Sequence, residues 1–349
     1  MTSPSPQHSQ AIEDFSRNFA AKARLERGLS PDSKYVRTCI EYAERLLSAG
    51  LPVIFNKAHL SRLVGYSVYY LDGASRSPQK FYRNFEIAKH DGGRREISEP
   101  LPSLKEVQRW IYQNILLNVD VSVAAKAYVP GRKLKESARL HRAQNFVLRI
   151  DIKNFFPSIT QNRVFGLFRS FGYCSDVAGI LSRLCCLNES LPQGGPCSPY
   201  LSNIILRSLD DRLFSFCRMK GLRYSRYADD FTFSGENFTH SLVEFIYSVI
   251  KSEGFDINEK KTVIMRRGSR QSVVGVVVNS KINARRDFRR KLRQQHYYIN
   301  KHGLDSHLQR VGEKRSGAVA HYLGKCAFVL SLNSEDRDAL AFSELLRGS

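Results

Sequence analysis

Arg223-Tyr-Ser-Arg-Tyr-Ala-Asp229-Asp230-Phe-Thr-Phe-Ser234 is the stretch that decides the reading of this chain. Aromatic and small polar side chains run up to and away from Tyr227-Ala-Asp-Asp230, the pattern of a strand, a tight turn and a second strand. Both acids fall at the turn. Upstream, Phe146-Val-Leu-Arg-Ile-Asp151 is an apolar strand that also ends in a carboxylate, and Pro157 stops the extended run. If the two strands are neighbours in one sheet, Asp151, Asp229 and Asp230 meet at one edge. Three like charges in one place are costly unless cations neutralise them. Two Mg²⁺ ions roughly 4 Å apart are the usual solution, and they suit in-line displacement at phosphorus. Ligation by oxygen alone also favours Mg²⁺ over softer metals.

Outward from this centre, strands alternate with helices on a modest sheet. Residues 161–171 carry apolar positions Val164, Phe165, Phe168 and Phe171 at helical spacing, closed by Gly172. Ser198-Pro199 opens a further helix, with an apolar stripe from Leu201 to Phe216, ended by Gly221. A helix over Leu242–Ile250, a short strand at Phe255–Asn258 and an apolar strand at Val273–Val278 follow. Towards the N-terminus, Ser33 to Leu47 is helical, and Phe85 to Ile97 reads as a hairpin about Asp91-Gly92-Gly93. After Pro100 and Pro102, a helix carries Leu104, Val107, Ile111 and Leu116. The sum is an α+β chain of the βαββ type.

The chain has 349 residues, with 54 Lys+Arg against 33 Asp+Glu, a formal charge of +21. An apolar fraction of 42% excludes a wholly disordered chain. The charge points to a polyanionic partner, a nucleic acid before a membrane surface. Between Lys260 and Arg293, 34 residues hold twelve Lys/Arg and one acid, Asp287. A basic run beside the strands described above reads as a phosphate-tracking surface, with Arg266, Arg267, Arg270, Arg285, Arg286, Arg289, Arg290 and Arg293 as its contacts. No apolar run reaches the ~18 residues of a membrane span, and the first twenty residues lack the apolar core of a signal peptide. Seven cysteines, with no C-x-x-C, fit a reduced cytoplasmic protein without structural zinc.

Three boxes together resemble the reverse transcriptases. Tyr227-Ala-Asp-Asp230 is their YADD box, Leu191-Pro-Gln-Gly-Gly-Pro-Cys-Ser-Pro199 resembles their LPQG…SP segment, and Arg149-Ile-Asp-Ile-Lys-Asn-Phe-Phe156 resembles the strand with the first catalytic acid. They stand in the right order, about 40 residues apart. Within that family the chain is most similar to bacterial retron enzymes. Ser137-Ala-Arg-Leu-His141 stands where these carry NAxxH, with Ser for Asn, and Val273-Val-Gly275 stands where they carry VTG, with Val for Thr.

The resemblance implies a right-hand polymerase fold with a βαββ palm, mixed fingers and a helical thumb. It divides the chain into an extension (1–32), fingers and palm (33–282) and an RNA-binding thumb (283–349). It implies an RNA-directed DNA polymerase, a nucleotidyltransferase that uses two Mg²⁺ ions and dNTPs. Asp151, Asp229 and Asp230 would hold the metals, with the Ile152 carbonyl as a further ligand. Phe156 falls at the steric-gate position, where a ring would clash with a ribose 2′-hydroxyl. Gln193 and Gly194 match residues that line the nucleotide pocket. Lys89 and Arg95 match the fingers hairpin that clamps the triphosphate, Arg95 being favoured for its bidentate guanidinium. Lys261, or its neighbour Lys260, matches a lysine near the leaving pyrophosphate. His141 is either an RNA contact or a satisfied structural histidine. Retron membership implies a cognate noncoding RNA copied into branched RNA–DNA (msDNA), an accessory effector protein, and a role in anti-phage defence. Two other readings compete: a reverse transcriptase of another bacterial group, group II intron-like or phage-exclusion type, and a polymerase-fold RNA-binding scaffold.

Overall fold

The computed structural model describes residues 6–88, 92–312 and 317–348. Lys89, expected in the fingers hairpin, lies outside the described residues, as does Asp91 of its turn. The chain folds as two units. One comprises Met1–Ser122 with Lys153–Ser208, the other Val123–Ile152 with Leu209–Ser349.

The first unit is helical around one hairpin. Its N-terminal helices are Pro6–Arg27 and Lys34–Ser48, the second capped by the Ser33 hydroxyl, which accepts from the Val36 amide. Strands β1 (Tyr82–Ala88) and β2 (Arg94–Pro100) pair antiparallel, from Tyr82 opposite Pro100 to Ala88 opposite Arg94. Pro102 then opens the helix Pro102–Asn114, which buries Leu104, Val107 and Ile111. The same helix buries Gln108, whose amide donates to the Tyr82 hydroxyl (2.7 Å) and the Leu184 carbonyl (2.8 Å). The helix Gln161–Ser170 starts at the Thr160 cap, buries Val164 and Phe168, and gives way to Gly172 in the left-handed region, φ 101°.

The second unit is built on a four-stranded antiparallel sheet. Its strands are β3 (Phe146–Asp151), β4 (Arg223–Tyr227), β5 (Asp230–Gly235) and β6 (Val263–Arg266), in the order β4-β5-β3-β6. Every residue of β5 is buried, as a central strand covered on both faces requires. The helices Arg207–Met219 and His240–Ser252 meet through the Phe216 and Phe245 rings, 4.1 Å apart. A small three-stranded sheet follows: β7 (Ser272–Val273), β8 (Val276–Val277) and β9 (Asn283–Ala284). Helices Arg286–His302, Leu304–Val311, Ala318–Leu332 and Arg337–Arg347 complete the unit. Their apolar faces join one core with the sheets: Val147 and Met265 pack in the same cluster as Val276, Leu292, Val329 and Phe342.

Three elements differ from the sequence expectation. The stripe from Leu201 to Phe216 is split into helices Ser198–Ile205 and Arg207–Met219, because Leu206 takes a turn conformation, φ −83° and ψ 0°. The apolar run Val273–Val278 is a tight hairpin rather than one strand. Val274 (φ 48°) and Gly275 (φ 78°) are both left-handed, which reverses the chain between β7 and β8. Phe255–Asn258 contributes a single bridge, Ile257 to Ile152, and the fourth strand is instead β6.

Candidate active site

The β4–β5 turn sets the site. Tyr227 and Asp230 are opposite one another in the β4–β5 ladder, so Ala228 and Asp229 alone make the reversal. A two-residue turn of this kind wants positive φ, and Ala228 adopts 58° without being glycine. β3 pairs with β5 so that Asp151 lies opposite Asp230, and the Ile152 amide donates to the Asp229 carbonyl at 3.2 Å. The three acids therefore share one sheet edge, as the strand reading anticipates.

They are not equivalent. Asp230 is held by Arg149, two residues before Asp151 on the same face of β3, whose Nε lies 2.9 Å from Oδ2 and whose Nη2 reaches the same oxygen. Lys261 stands over Asp151, its Nζ 3.3 Å from both carboxylate oxygens, and this distinguishes it from Lys260. Asp229 has neither. Burial, then the charge of Asp151, push its carboxyl above the usual range. Among the described residues, no three His, Cys, Asp or Glu groups gather as a metal site. The three acids thus form an edge in which Asp230 is paired with Arg149 and Asp151 with Lys261. All three offer carboxylate oxygens, the donors that hard divalent cations take. Asp229 makes no direct ion pair among the described residues, and Lys261, over Asp151, acts on it from a distance.

The turn is braced from behind by a pair the sequence reading passed over. Arg226 and Asp210 are both fully buried. Arg226 Nε donates to Asp210 Oδ1 at 2.8 Å and Nη2 to Oδ2 at 2.6 Å, while Nη1 donates to the Ala228 carbonyl at 3.0 Å. The Tyr224 hydroxyl donates to the same carboxylate, at 2.7 Å. The guanidinium fork ties the helix Arg207–Met219 to the carbonyl of the one left-handed residue in the turn. Asp210 was detectable, for it falls with Leu213 and Cys217 on the buried stripe of its helix.

Gln193, Gly194, Phe156 and Arg95 belong to the first unit. The Ser98 amide of β2 donates to the Gln193 carbonyl at 2.8 Å, which ties the pocket loop to the hairpin. Gly194 has φ 127°, and a Cβ there would lie 2.6 Å from the Ser98 carbonyl oxygen, so only glycine fits. The segment after Phe156 is stitched to the same loop, with the Leu191 amide donating to the Ile159 carbonyl at 3.0 Å. The Phe156 ring lies 5.2 Å from that of Phe155. Arg95 is exposed on β2, while its neighbour Arg94 pairs with Glu86 at 2.7 Å.

Residues 87–301 match the reverse transcriptase (RNA-dependent DNA polymerase) family. The chain is 33% identical over 303 residues to the Retron Ec86 reverse transcriptase of Escherichia coli, covering 85% of this chain and 90% of that protein. It is 32% identical over 366 aligned residues to the Retron Mx65 reverse transcriptase of Myxococcus xanthus, covering 98% and 81%. The chain belongs to the retron reverse transcriptases. It is an RNA-directed DNA polymerase with the right-hand polymerase fold.

Two sets of residues expected at RNA in this retron reverse transcriptase are engaged within the fold. His141 does not present itself to RNA. It is fully buried, with Nδ1 2.7 Å from the Ser234 hydroxyl and Nε2 2.8 Å from that of Ser225. Burial first, then the charges of Arg223 and Lys126, lower its pKa to about 3, so the ring is neutral. The histidine is a rivet between the segment 137–141 and the β4–β5 hairpin. The basic run is also less free than its composition implies. Arg285 pairs with Asp287 (3.1 Å), Arg289 with Asp336 (2.7 Å) and Arg293 with Asp338 (3.4 Å). Arg266, Arg267, Arg270, Arg286 and Arg290 are exposed. All seven cysteines are free, and among the described residues no helix is long and apolar enough to cross a membrane.

Proposed function

We propose that this retron reverse transcriptase copies a cognate structured noncoding RNA into branched RNA–DNA (msDNA), with Asp151 and Asp229 at the centre of the chemistry. It would act in the cytoplasm with an accessory effector protein, in defence against phage. The observation that carries the catalytic part is the partly buried Asp229 carboxylate, without a direct ion pair, beside Asp151 at the end of β3. These two acids, with the Ile152 carbonyl, would hold two Mg²⁺ ions. Asp230 would join them only by leaving Arg149. Bound there, the ions supply an attacking hydroxyl of lowered pKa and neutralise the leaving pyrophosphate.

The other residues orient the substrates. Lys261, already at Asp151, would turn its ammonium to the pyrophosphate as it leaves. Gln193 and the bare backbone at Gly194 would line the nucleotide, and Arg95 would take phosphate oxygens. The Phe156 ring would exclude a ribose 2′-hydroxyl and so select dNTPs. Exposed arginines of the basic run, Arg286 and Arg290 among them, would track the RNA backbone.

The test uses the full chain with Mg²⁺, dNTPs and oligo(dT)-primed poly(rA). Incorporation is expected from the native protein and is lost in Asp151→Asn and Asp229→Asn. Native-level incorporation by Asp229→Asn would end the catalytic assignment. Sequencing the nucleic acid that co-purifies with the protein tests the rest. A branched RNA–DNA species is expected, and recovery of bulk cellular RNA alone would overturn the msDNA reading.

A further inference from the structure

Away from the carboxylate edge, the second unit holds a cleft of about 440 Å³ lined by Lys135, Arg139, Arg142 and Lys281. Asn333, Ser334 and a single acid, Glu335, line it from the connection between helices Ala318–Leu332 and Arg337–Arg347. Among the described residues, none of the four cations has an ion-pair partner, in contrast to Arg285, Arg289 and Arg293.

The local sequence makes this imbalance costly. Lys135 and Arg139 are four residues apart on the helix Leu134–Leu140, and Arg142 is three beyond Arg139. Like charges at that spacing repel by a few tenths of a kcal/mol each. The one acid of the helix, Glu136, accepts from the Lys133 amide as part of the N-terminal cap.

The cleft is also held open by groups that owe nothing to a ligand. His141 fixes the end of the helix to Ser225 and Ser234. Ala143, left-handed at φ 58°, donates its amide to the carbonyls of Val278 (3.0 Å) and Asn279 (2.8 Å), just before Lys281. Leu332 and Ala339, on either side of the connection, are in the apolar core. A preformed, cation-lined recess at the small end of the ligand-site range admits a short run of backbone rather than a whole duplex.

We propose that this cleft binds RNA backbone: the four cations take phosphates, and Glu335 accepts a hydrogen bond from a ribose 2′-hydroxyl. The carboxylate is what separates RNA from DNA here, because the 2′-hydroxyl is the donor that DNA lacks. The proposal rests on the reading that the protein holds an RNA, and adds where a segment outside the polymerase site is gripped.

The experiment measures affinity of the full chain for an RNA hairpin with a single-stranded tail, and for DNA of the same sequence, across a salt series. Arg139→Glu with Arg142→Glu is expected to weaken RNA binding about tenfold or more and to lower the salt slope by about 1–2. The charge-keeping pair Arg139→Lys with Arg142→Lys retains the slope. Glu335→Leu, which removes the acceptor, is expected to bring the RNA and DNA affinities together. Extension of oligo(dT) on poly(rA) stays at the native level in all three, which reports an intact fold and polymerase site. An unchanged affinity and slope in the Glu pair would overturn the phosphate assignment. Loss of binding together with loss of extension and a lowered melting temperature would overturn it too, as a structural effect. An unchanged RNA-to-DNA ratio in Glu335→Leu would overturn the sugar contact. Failure of the native protein to extend the primer would count against the polymerase reading alone, since the binding arm is read independently.

Discussion

Two regions of the second unit carry charge that the fold leaves unmatched, and they are of opposite sign. At the β3–β5 edge, Asp230 is answered by Arg149 and Asp151 by Lys261, but Asp229 is half-buried beside Asp151 with no direct ion pair of its own. In the cleft, Lys135, Arg139, Arg142 and Lys281 face one carboxylate. Between these extremes stands Asp210 with Arg226, fully buried and fully hydrogen-bonded. The contrast separates two uses of charge. Where a charge serves the fold, the chain supplies the partner, since an unmatched buried ion costs several kcal/mol. Where the partner is withheld, the shortfall has the sign of the proposed ligand: cations at the acids, phosphates at the bases.

Removing the unmatched acid breaks the comparison most sharply. Asp229→Asn is expected to lower nucleotide incorporation by about 10³-fold or more, since the loss of metal-based charge stabilisation is worth several kcal/mol. The same variant is expected to melt higher than the native protein at neutral pH, because burial and Asp151 disfavour the Asp229 carboxylate in the folded state. A variant that loses activity and melts lower would contradict the idea that this charge is kept for a ligand.

The matched pair is expected to behave in the opposite way. Arg226→Met leaves Asp210 as a buried, uncompensated ion and should cost about 3–5 kcal/mol in urea unfolding. Adding Asp210→Leu should restore most of that stability, because well-packed apolar groups replace buried ion pairs at little cost. Activity is not expected to return, since the Ala228 carbonyl still lacks its donor. Full recovery of both would reduce the pair to packing. A smaller effect is expected in the first unit. Gly194→Ala forces a Cβ to 2.6 Å from the Ser98 carbonyl oxygen at φ 127°. The strain should amount to about 1–3 kcal/mol and appear as a raised KM for dNTP, with little change in the salt slope of RNA binding.

The features legible in the sequence are those with a short period or a fixed spacing. The β4–β5 hairpin, β3 with its terminal acid and the β1–β2 hairpin all follow from alternation and turn residues. The V-V-G reversal was hidden, because Val274 at φ 48° is held there by tertiary packing against the apolar cluster rather than by its own preference. β6 escaped because only Met265 of its four residues is buried, so it has little apolar pattern to read. The site was legible as residue types but not as pairings. Arg149 and Asp151 are two apart on a strand, and so on one face, but nothing in sequence says that the guanidinium chooses Asp230. The ion pairs of the basic run were hidden for the same reason. Its partners Asp336 and Asp338 lie more than forty residues further along the chain, and local composition does not register them.

His141 joins the two regions, and its proton-linked effect vanishes at neutral pH. The ring follows the helix that lines the cleft and is hydrogen-bonded to Ser225 on β4 and Ser234 on β5. In the folded chain its pKa is lowered from 6.5 to about 3, chiefly by burial. The unfolded chain therefore binds a proton that the folded chain refuses, across the window from 6.5 down to about 3. Stability from the neutral ring is fully present above 6.5 and is lost as pH falls through that window. Between pH 7 and pH 5 the loss should be about 2 kcal/mol. Urea unfolding at the two pH values measures it. His141→Asn is expected to be less stable than the native chain at pH 7, since the rivet is shortened, but to lose less on going to pH 5. An equal acid loss in the variant would mean that other groups carry it. It would also mean that the helix bearing the free cations is tied to the carboxylate hairpin by something other than this ring.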